Sequence, residues 1–437
     1  MRYTPHVKAL LRLGLPIIVA QIGVIVQGLA DTLMVGRFST PALAASGFVN
    51  NLMNLILLFA LGYSYAITPL TGANFARGQY RECTEVLKAA VRGNLLLGGA
   101  LVLLMAVLYP LLPHMGQPHT LLPLIRPYYI TILLSIPFQC YFNTYKQFLD
   151  GVGDTRSPMW VMISANLLNI IGNALLIYGI PPFPQMGLLG AGTSTLLSRI
   201  YMAIAIYMVF RLSARHKVYQ QYHTTPPRHL LAQLHRMGLP VALQLCMETS
   251  AFALCAVMQG WMGEAPLAAH QIMTQISSLC FMVYYGIGTA VAVRVSHFHG
   301  MGDLPNARRS AHAGMGIIVV CGTIIATAIA SAIAPISRIF TDSVPVQQII
   351  VAITLPFVLY QLGDGLQICY SNALRGMADT RRHLPYAFVS YVLISLPLSY
   401  TLCFVAGLGP VGIWAAFPIG LTTAGVLFTR RFMRLTR

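Results

Sequence analysis

Eleven carboxylates are spread along the chain, and three of them stand where carboxylates are rarely placed. Glu82, Glu85, Asp150, Asp154, Glu264, Asp303, Asp342 and Asp379 fall between or at the ends of apolar runs, whereas Asp31, Glu248 and Asp364 lie inside them. An ionised group at the centre of a bilayer costs about 2.5–3.5 kcal/mol on insertion scales, so such an acid faces a hollow and binds something. Glu248 and Asp364 together offer hard oxygen ligands for a monovalent cation, or two carboxylates that share one proton. Tyr360 precedes Asp364 by four positions and occupies the same helix face, which places its hydroxyl to orient the carboxylate. Asn169 and Asn173 are likewise four apart, with Asn166 nearby; they either hydrogen-bond between helices or line a polar cavity. Phe281 could meet a cation through its ring, although packing is the ordinary role of such a residue. Arg199 is the one base deep in an apolar run. Pro16, ahead of Asp31, is a candidate bending point.

The elements that position these groups are membrane spans. Of 437 residues 56% are hydrophobic and only 9% charged, too little charge to cover a water-exposed surface. Apolar runs of bilayer-spanning length recur at 12–36, 43–70, 88–110, 124–148, 159–180, 187–211, 237–260, 267–293, 312–334, 348–372, 384–405 and 408–429. Backbone groups in lipid must be satisfied internally, so the runs are helices. No period-two alternation suggests a β-barrel. A net charge of +17 would suit nucleic acid, but the bases cluster between spans, where they orient a membrane protein, and no nucleic-acid partner is expected. Of the 28 Lys and Arg residues, all but Arg37, Arg126, Arg338 and Arg199 fall on one side, which places both termini in the cytoplasm. The first run is too long for a cleavable signal, and the eight cysteines show no CxxC spacing.

The chain also repeats. Arg12, Gly14, Leu15 and Pro16 match Arg236, Gly238, Leu239 and Pro240, 224 positions on, and Leu43-Ala44-Ala45 matches Leu267-Ala268-Ala269 at the same offset. Leu149-Asp150-Gly151-Val152-Gly153-Asp154-Thr155-Arg156 resembles Leu374-Arg375-Gly376-Met377-Ala378-Asp379-Thr380-Arg381. The expected architecture is an all-α membrane protein of twelve transmembrane helices. Residues 1–211 form an N-lobe of six, 212–235 a cytoplasmic linker, and 236–437 a C-lobe of six, with a pseudo-twofold axis along the membrane normal and a cavity near the midplane. The repeat does not duplicate the acids: Asp31 meets Cys255 and Asp364 meets Gln139, so packing common to both halves does not require them.

These motifs resemble the multidrug and toxic compound extrusion (MATE) family, in its NorM-like branch, over nearly the whole chain. The resemblance is carried by Gly14-Leu15-Pro16, Ala30-Asp31-Thr32-Leu33-Met34-Val35-Gly36, Met247-Glu248-Thr249, Pro266-Leu267-Ala268-Ala269-His270-Gln271, Tyr360 with Asp364, and Leu374-Arg375-Gly376 with Asp379-Thr380. It implies two six-helix lobes in a V shape that export bulky, often cationic organic compounds in exchange for sodium or protons. It further implies a C-lobe cation site at Glu248, Tyr360, Asp364 and Phe281, with Glu248 and Asp364 as sodium ligands, and an N-lobe coupling or substrate site at Asp31, Asn169 and Asn173. Related branches often carry an acid where Asn173 stands, so its neutrality favours sodium at the C-lobe pair. The expected setting is a bacterial inner membrane, with lipid and small-molecule drugs as partners, a monomeric state, and no cofactor beyond the coupling ion. Competing readings are an exporter of lipid-linked oligosaccharide or a metabolite and, least supported, a membrane enzyme. HExxH, GxSxG and P-loop motifs are all missing from the sequence.

Overall fold

A computed structural model describes residues 3–222 and 224–437. Among the described residues, twelve helices are long and apolar enough to cross a membrane: α1 (Thr4–Phe38), α2 (Thr40–Ala76), α3 (Tyr80–His114), α4 (His119–Gly151), α5 (Arg156–Tyr178), α6 (Leu188–Leu212), α7 (Arg228–Trp261), α8 (Glu264–Gly300), α9 (Leu304–Phe340), α10 (Val344–Gly376), α11 (His383–Val405) and α12 (Pro410–Leu435). The helices overrun the apolar runs; α9, for example, begins at Leu304, and its first turns carry Arg308 and Arg309. Hydropathy marks the hydrocarbon layer, whereas backbone hydrogen bonding continues until a cap stops it. Asp303 supplies one such cap, accepting from Asn306 N at 3.1 Å. α2 is interrupted at Tyr65–Ala66, and α11 contains π-helical stretches at Phe388–Ser395 and Thr401–Val405.

The internal repeat is written into the backbone. Gly78 and Gly302 turn with φ of 73° and 75° between α2 and α3 and between α8 and α9. Gly153 (82°) and Ala378 (58°) do so after α4 and α10, and Gly187 and Gly409 (both 55°) open α6 and α12. Ala378 is the one non-glycine with positive φ among the described residues, holding the turn that its repeat mate makes with glycine.

The helices form two compact units, Met1–Ile18 with Leu243–Arg437 and Val19–Ala242. The repeat by halves and the compact units are therefore different partitions. α1 and α7 each change unit two residues beyond a proline, Pro16 and Pro240, which occupy matching positions in the repeat. The glycine before each proline explains the shared Gly-Leu-Pro motif. A Cβ on Gly238 would lie 2.6 Å from Tyr63 O on α2, and one on Gly14 would lie 3.2 Å from Gly286 O on α8. At Gly238 only a residue without a side chain lets the backbones approach this closely, and at Gly14 a side chain would be tight.

The expected linker 212–235 is shorter in the structure, because α6 runs to Leu212 and α7 already begins at Arg228; the described residues between them, 213–222 and 224–227, form a docked strap. Ala214–His216 and Lys217–Gln220 form short turns. Buried His216 sets Nε2 3.0 Å from Asp154 Oδ2, Thr84 Oγ1 donates to Tyr219 O at 2.9 Å, and Lys88 Nζ donates to Tyr222 O and Thr224 O at 3.1 and 2.8 Å. Burial would raise the Asp154 carboxyl, but hydrogen bonds from His216 and Ser157 outweigh it and hold the group down at about 2.

Candidate functional site

Each unit carries its own polar site. In the unit Met1–Ile18 with Leu243–Arg437, α7, α8, α10 and α11 supply it. Glu248 stands twenty positions after Arg228 and thirteen before Trp261, deep in α7; Asp364 stands twenty after Val344 and twelve before Gly376, deep in α10. Asp364 is buried and Glu248 partly accessible, and the two carboxylates interact electrostatically. One turn beyond Asp364, Gln367 Nε2 donates to Glu248 Oε2 at 3.4 Å. One turn before it, Tyr360 Oη accepts from Ser277 Oγ of α8 at 3.1 Å. Tyr360 is held by a ring cluster of Phe252, Phe357, Trp414 and Phe417, so its hydroxyl has little freedom to leave Ser277. The Tyr391 hydroxyl lies beside Glu248, from a π-helical stretch of α11. Asp364 Oδ2 and Gln367 Oε1 are buried with no hydrogen-bond partner among the described residues, and no basic side chain there pairs with either acid. Buried oxygens left unsatisfied by protein, around two carboxylates, are the donor set of a hard cation.

Phe281 lies one turn beyond Ser277 on α8, where its ring stacks on Tyr285 at 5.9 Å. The structure thus gathers Glu248, Asp364 and Tyr360 about one locus and directs the Phe281 ring to an aromatic neighbour.

In the unit Val19–Ala242, Asn173 Nδ2 donates to Asp31 Oδ1 and also reaches Asn169 Oδ1 at 3.4 Å; Asn169 Nδ2 donates to Thr195 Oγ1 of α6 at 3.3 Å. Asn169 and Asn173 are fully buried, and the helix period that puts both on one face of α5 turns that face toward α1 and α6. Asp31, Asn169 and Asn173 therefore form one hydrogen-bonded chain. Gln27, one turn before Asp31, lies beside its carboxylate. Nearby, Arg199 Nη1 donates to Ser135 Oγ of α4 at 2.6 Å, and Tyr128 Oη donates to Asn50 Oδ1 at 3.0 Å. Arg199 interacts electrostatically with both Asp31 and Tyr128. Pro16 is buried within a continuous α1, two residues from the point where that helix changes unit.

Sequence reasoning did not single out Gln367, Ser277 and Tyr391 around the acid pair, nor Gln27, Thr195 and Ser135 in the other unit. Gln367 and Gln27 carried a signal, because each is one helical turn from an intramembrane acid. Ser277, Tyr391, Thr195 and Ser135 are brought in by other helices, and no spacing in the chain announces them.

Twelve membrane-length helices, a twofold repeat and carboxylates held inside the spans define a multi-pass membrane transporter. The MatE family model matches residues 16–175 and 240–401. A curated relative from Bradyrhizobium diazoefficiens, named probable multidrug resistance protein NorM, is 30% identical over 98% of this chain and 93% of its own length. A Synechococcus protein of the same name is 29% identical over 99% and 95%. The chain belongs to the MatE family. Among solved structures, an outward-facing multidrug resistance MATE transporter superposes with a TM-score of 0.90 at 19% identity, covering 99% of this chain and 96% of that one. A eukaryotic MATE transporter gives 0.89 at 16% identity, covering 100% and 99%. Both agree with the fold described above.

Proposed function

We propose that this chain is a secondary-active exporter in a bacterial inner membrane, exchanging sodium for bulky, often cationic organic compounds by alternating access between lobes 1–211 and 236–437. The observation that carries the reading is the Glu248–Asp364 pair, two acids deep in their spans with unsatisfied oxygens around them and, among the described residues, no paired base. Two negative charges in low dielectric repel, and a bound monovalent cation relieves that repulsion. Sodium entering this pair from outside discharges it and favours the return that follows drug release; Pro16 in α1 is the bending point for that movement. The relatives named for multidrug resistance support the substrate class. Both termini and the strap face the cytoplasm, as the distribution of basic residues requires.

The test is ethidium efflux from cells expressing the chain, with and without an inward sodium gradient at clamped pH. Sodium-dependent efflux that disappears in Glu248→Gln and in Asp364→Asn is the expected result. Efflux of equal rate in sodium-free medium rejects sodium coupling and leaves protons as the coupling ion. Wild-type efflux by both variants rejects the site.

A further inference from the structure

We propose that the exposed seam between α5 and α6 is a phospholipid site, with one acyl chain lying in a groove at mid-membrane and the phosphate held at the Arg156 end. The groove has a volume of about 230 Å³. Its walls are the exposed side chains of Leu168 and Ile171 on α5 and Leu197 on α6, and its floor is Gly172, Ser194 and Ser198. The floor is low because its residues are small. A Cβ on Gly172 would collide with Ser194 Oγ, so the two helices close here and leave the space above them open. Ser194 Oγ donates to Asn169 O at 2.8 Å and Ser198 Oγ to Thr195 O at 2.9 Å, so both hydroxyl protons are committed to the protein. What the groove offers a ligand is apolar contact. Leu168 stands twelve positions after Arg156 and ten before Tyr178, and Leu197 nine after Leu188 and fifteen before Leu212. That is the depth at which hydrocarbon chains are the solvent.

The order of side chains along the same face identifies the occupant. Ser164 stands four positions before Leu168 and Tyr201 four after Leu197, so these two adjoin the groove on its Arg156 side. Tyr201 Oη donates to Ser164 Oγ at 3.1 Å, at an exposed position from which the hydroxyl can turn to another acceptor. Four positions further along α5 comes Trp160, which is 65% exposed, and four beyond that Arg156, also exposed. Each step of four residues is about 6 Å of helix. The strip therefore runs from apolar groove to hydroxyl pair to indole to guanidinium. A glycerophospholipid presents hydrocarbon, ester oxygens and phosphate in that sequence. Tryptophan is at home at headgroup level, and a guanidinium at a helix end binds a phosphate through charge-assisted hydrogen bonds. Charge complementarity points the same way. Asp154, the acid beside this end of α5, is buried and bonded to His216 and Ser157, so the strip shows only positive charge and repels a cation.

The experiment uses the purified full chain in detergent, given a trace of phosphatidylglycerol that carries a diazirine midway along one acyl chain. After illumination the labelled peptides are mapped by mass spectrometry. Residues 168–175 and 194–198 are expected to take about tenfold more label than the equally exposed Val320 and Ile324 of α9, which have detergent as their neighbour. Filling the groove from its exposed rim with Leu168→Trp and Leu197→Trp is expected to bring its label down to the α9 level. Diacylglycerol with the same chain lacks the phosphate and is expected to label the groove weakly, and Arg156→Gln is expected to reduce phosphatidylglycerol to that weaker level. Equal labelling of the groove and of α9 in the wild type overturns the proposal without any variant. Label that persists in the filled groove overturns it too, as does diacylglycerol labelling as strong as that by phosphatidylglycerol. Displacement of the label by tetraphenylphosphonium would make the groove a cargo site and reject the lipid. None of these outcomes bears on sodium coupling, so the exchange reading and this site stand or fall separately.

Discussion

The two units share helix order, left-handed turns and Gly-Leu-Pro motifs, yet the polar groups inside them are opposite in kind. The acids of one, Glu248 and Asp364, have no paired base among the described residues. The acid of the other, Asp31, is hydrogen-bonded to a neutral asparagine and interacts electrostatically with Arg199. Two carboxylates without a paired base gain from a cation or a shared proton. A site whose charges balance discriminates by shape and by where each charge lies. Duplication supplied the scaffold twice; the chemistry was written separately into each copy. Positions that the repeat conserves, such as Gly14 and Gly238, serve packing, whereas the positions where it diverges carry the polar sites.

That contrast can be broken in order of size. The largest effect is expected from Asp364→Asn, which should lower sodium-driven drug efflux by at least about tenfold and remove the sodium dependence of what remains, because a neutral amide cannot compensate a cation's charge. Asp31→Asn should lower drug binding while sodium dependence survives; dose–response curves at two sodium concentrations separate the cases. Loss of sodium dependence in Asp31→Asn and its retention in Asp364→Asn would reverse the assignment.

Gly238→Ala should destabilise the protein by about 1–3 kcal/mol, since the new methyl meets a backbone oxygen that cannot swing aside. Gly14→Ala should cost less, because its closest neighbour is the mobile end of Ile287. Thermal unfolding in detergent ranks them, and an equal or inverted ranking would contradict the close-approach explanation.

The repeated acids at the loop turns differ from each other, and the smallest effect belongs to one of them. Asp154 is buried and bonded to His216 and Ser157, so Asp154→Ala should cost about 1–3 kcal/mol and loosen the strap. Its repeat mate Asp379 meets Arg431 at 2.7 Å, a pair whose arginine is 34% exposed, and Asp379→Ala should cost about 0.2–1 kcal/mol. Because Asp154 titrates lower when folded than when unfolded, its contribution is present above the unfolded carboxyl value and is lost as pH falls from about 4 toward 2. Limited proteolysis of the strap across that range should show release in wild type, and at neutral pH already in Asp154→Ala.

The spans, their number and the repeat were legible because bilayer thickness and duplication act over many residues at once. The acids were legible because a charge among apolar residues has no local explanation. Asn169 and Asn173 declared a common helix face by spacing, and the structure turns that face to Asp31. Other features depend on which helices meet. Nothing in the neighbourhood of Tyr391 says that a π-helical stretch of α11 sets its hydroxyl beside Glu248, and nothing near Phe281 says that its ring goes to Tyr285. The exchange of α1 and α7 between units was hidden for a related reason. A repeat aligns sequence with sequence, whereas a compact unit is defined by contacts across 200 positions.

In the proposed cycle, sodium at Glu248 and Asp364 drives export. Proteoliposomes loaded with sodium, with identical buffered pH inside and out, should accumulate drug as sodium leaves, and those carrying Glu248→Gln or Asp364→Asn should not. Equal accumulation in liposomes loaded with potassium in place of sodium would contradict the account.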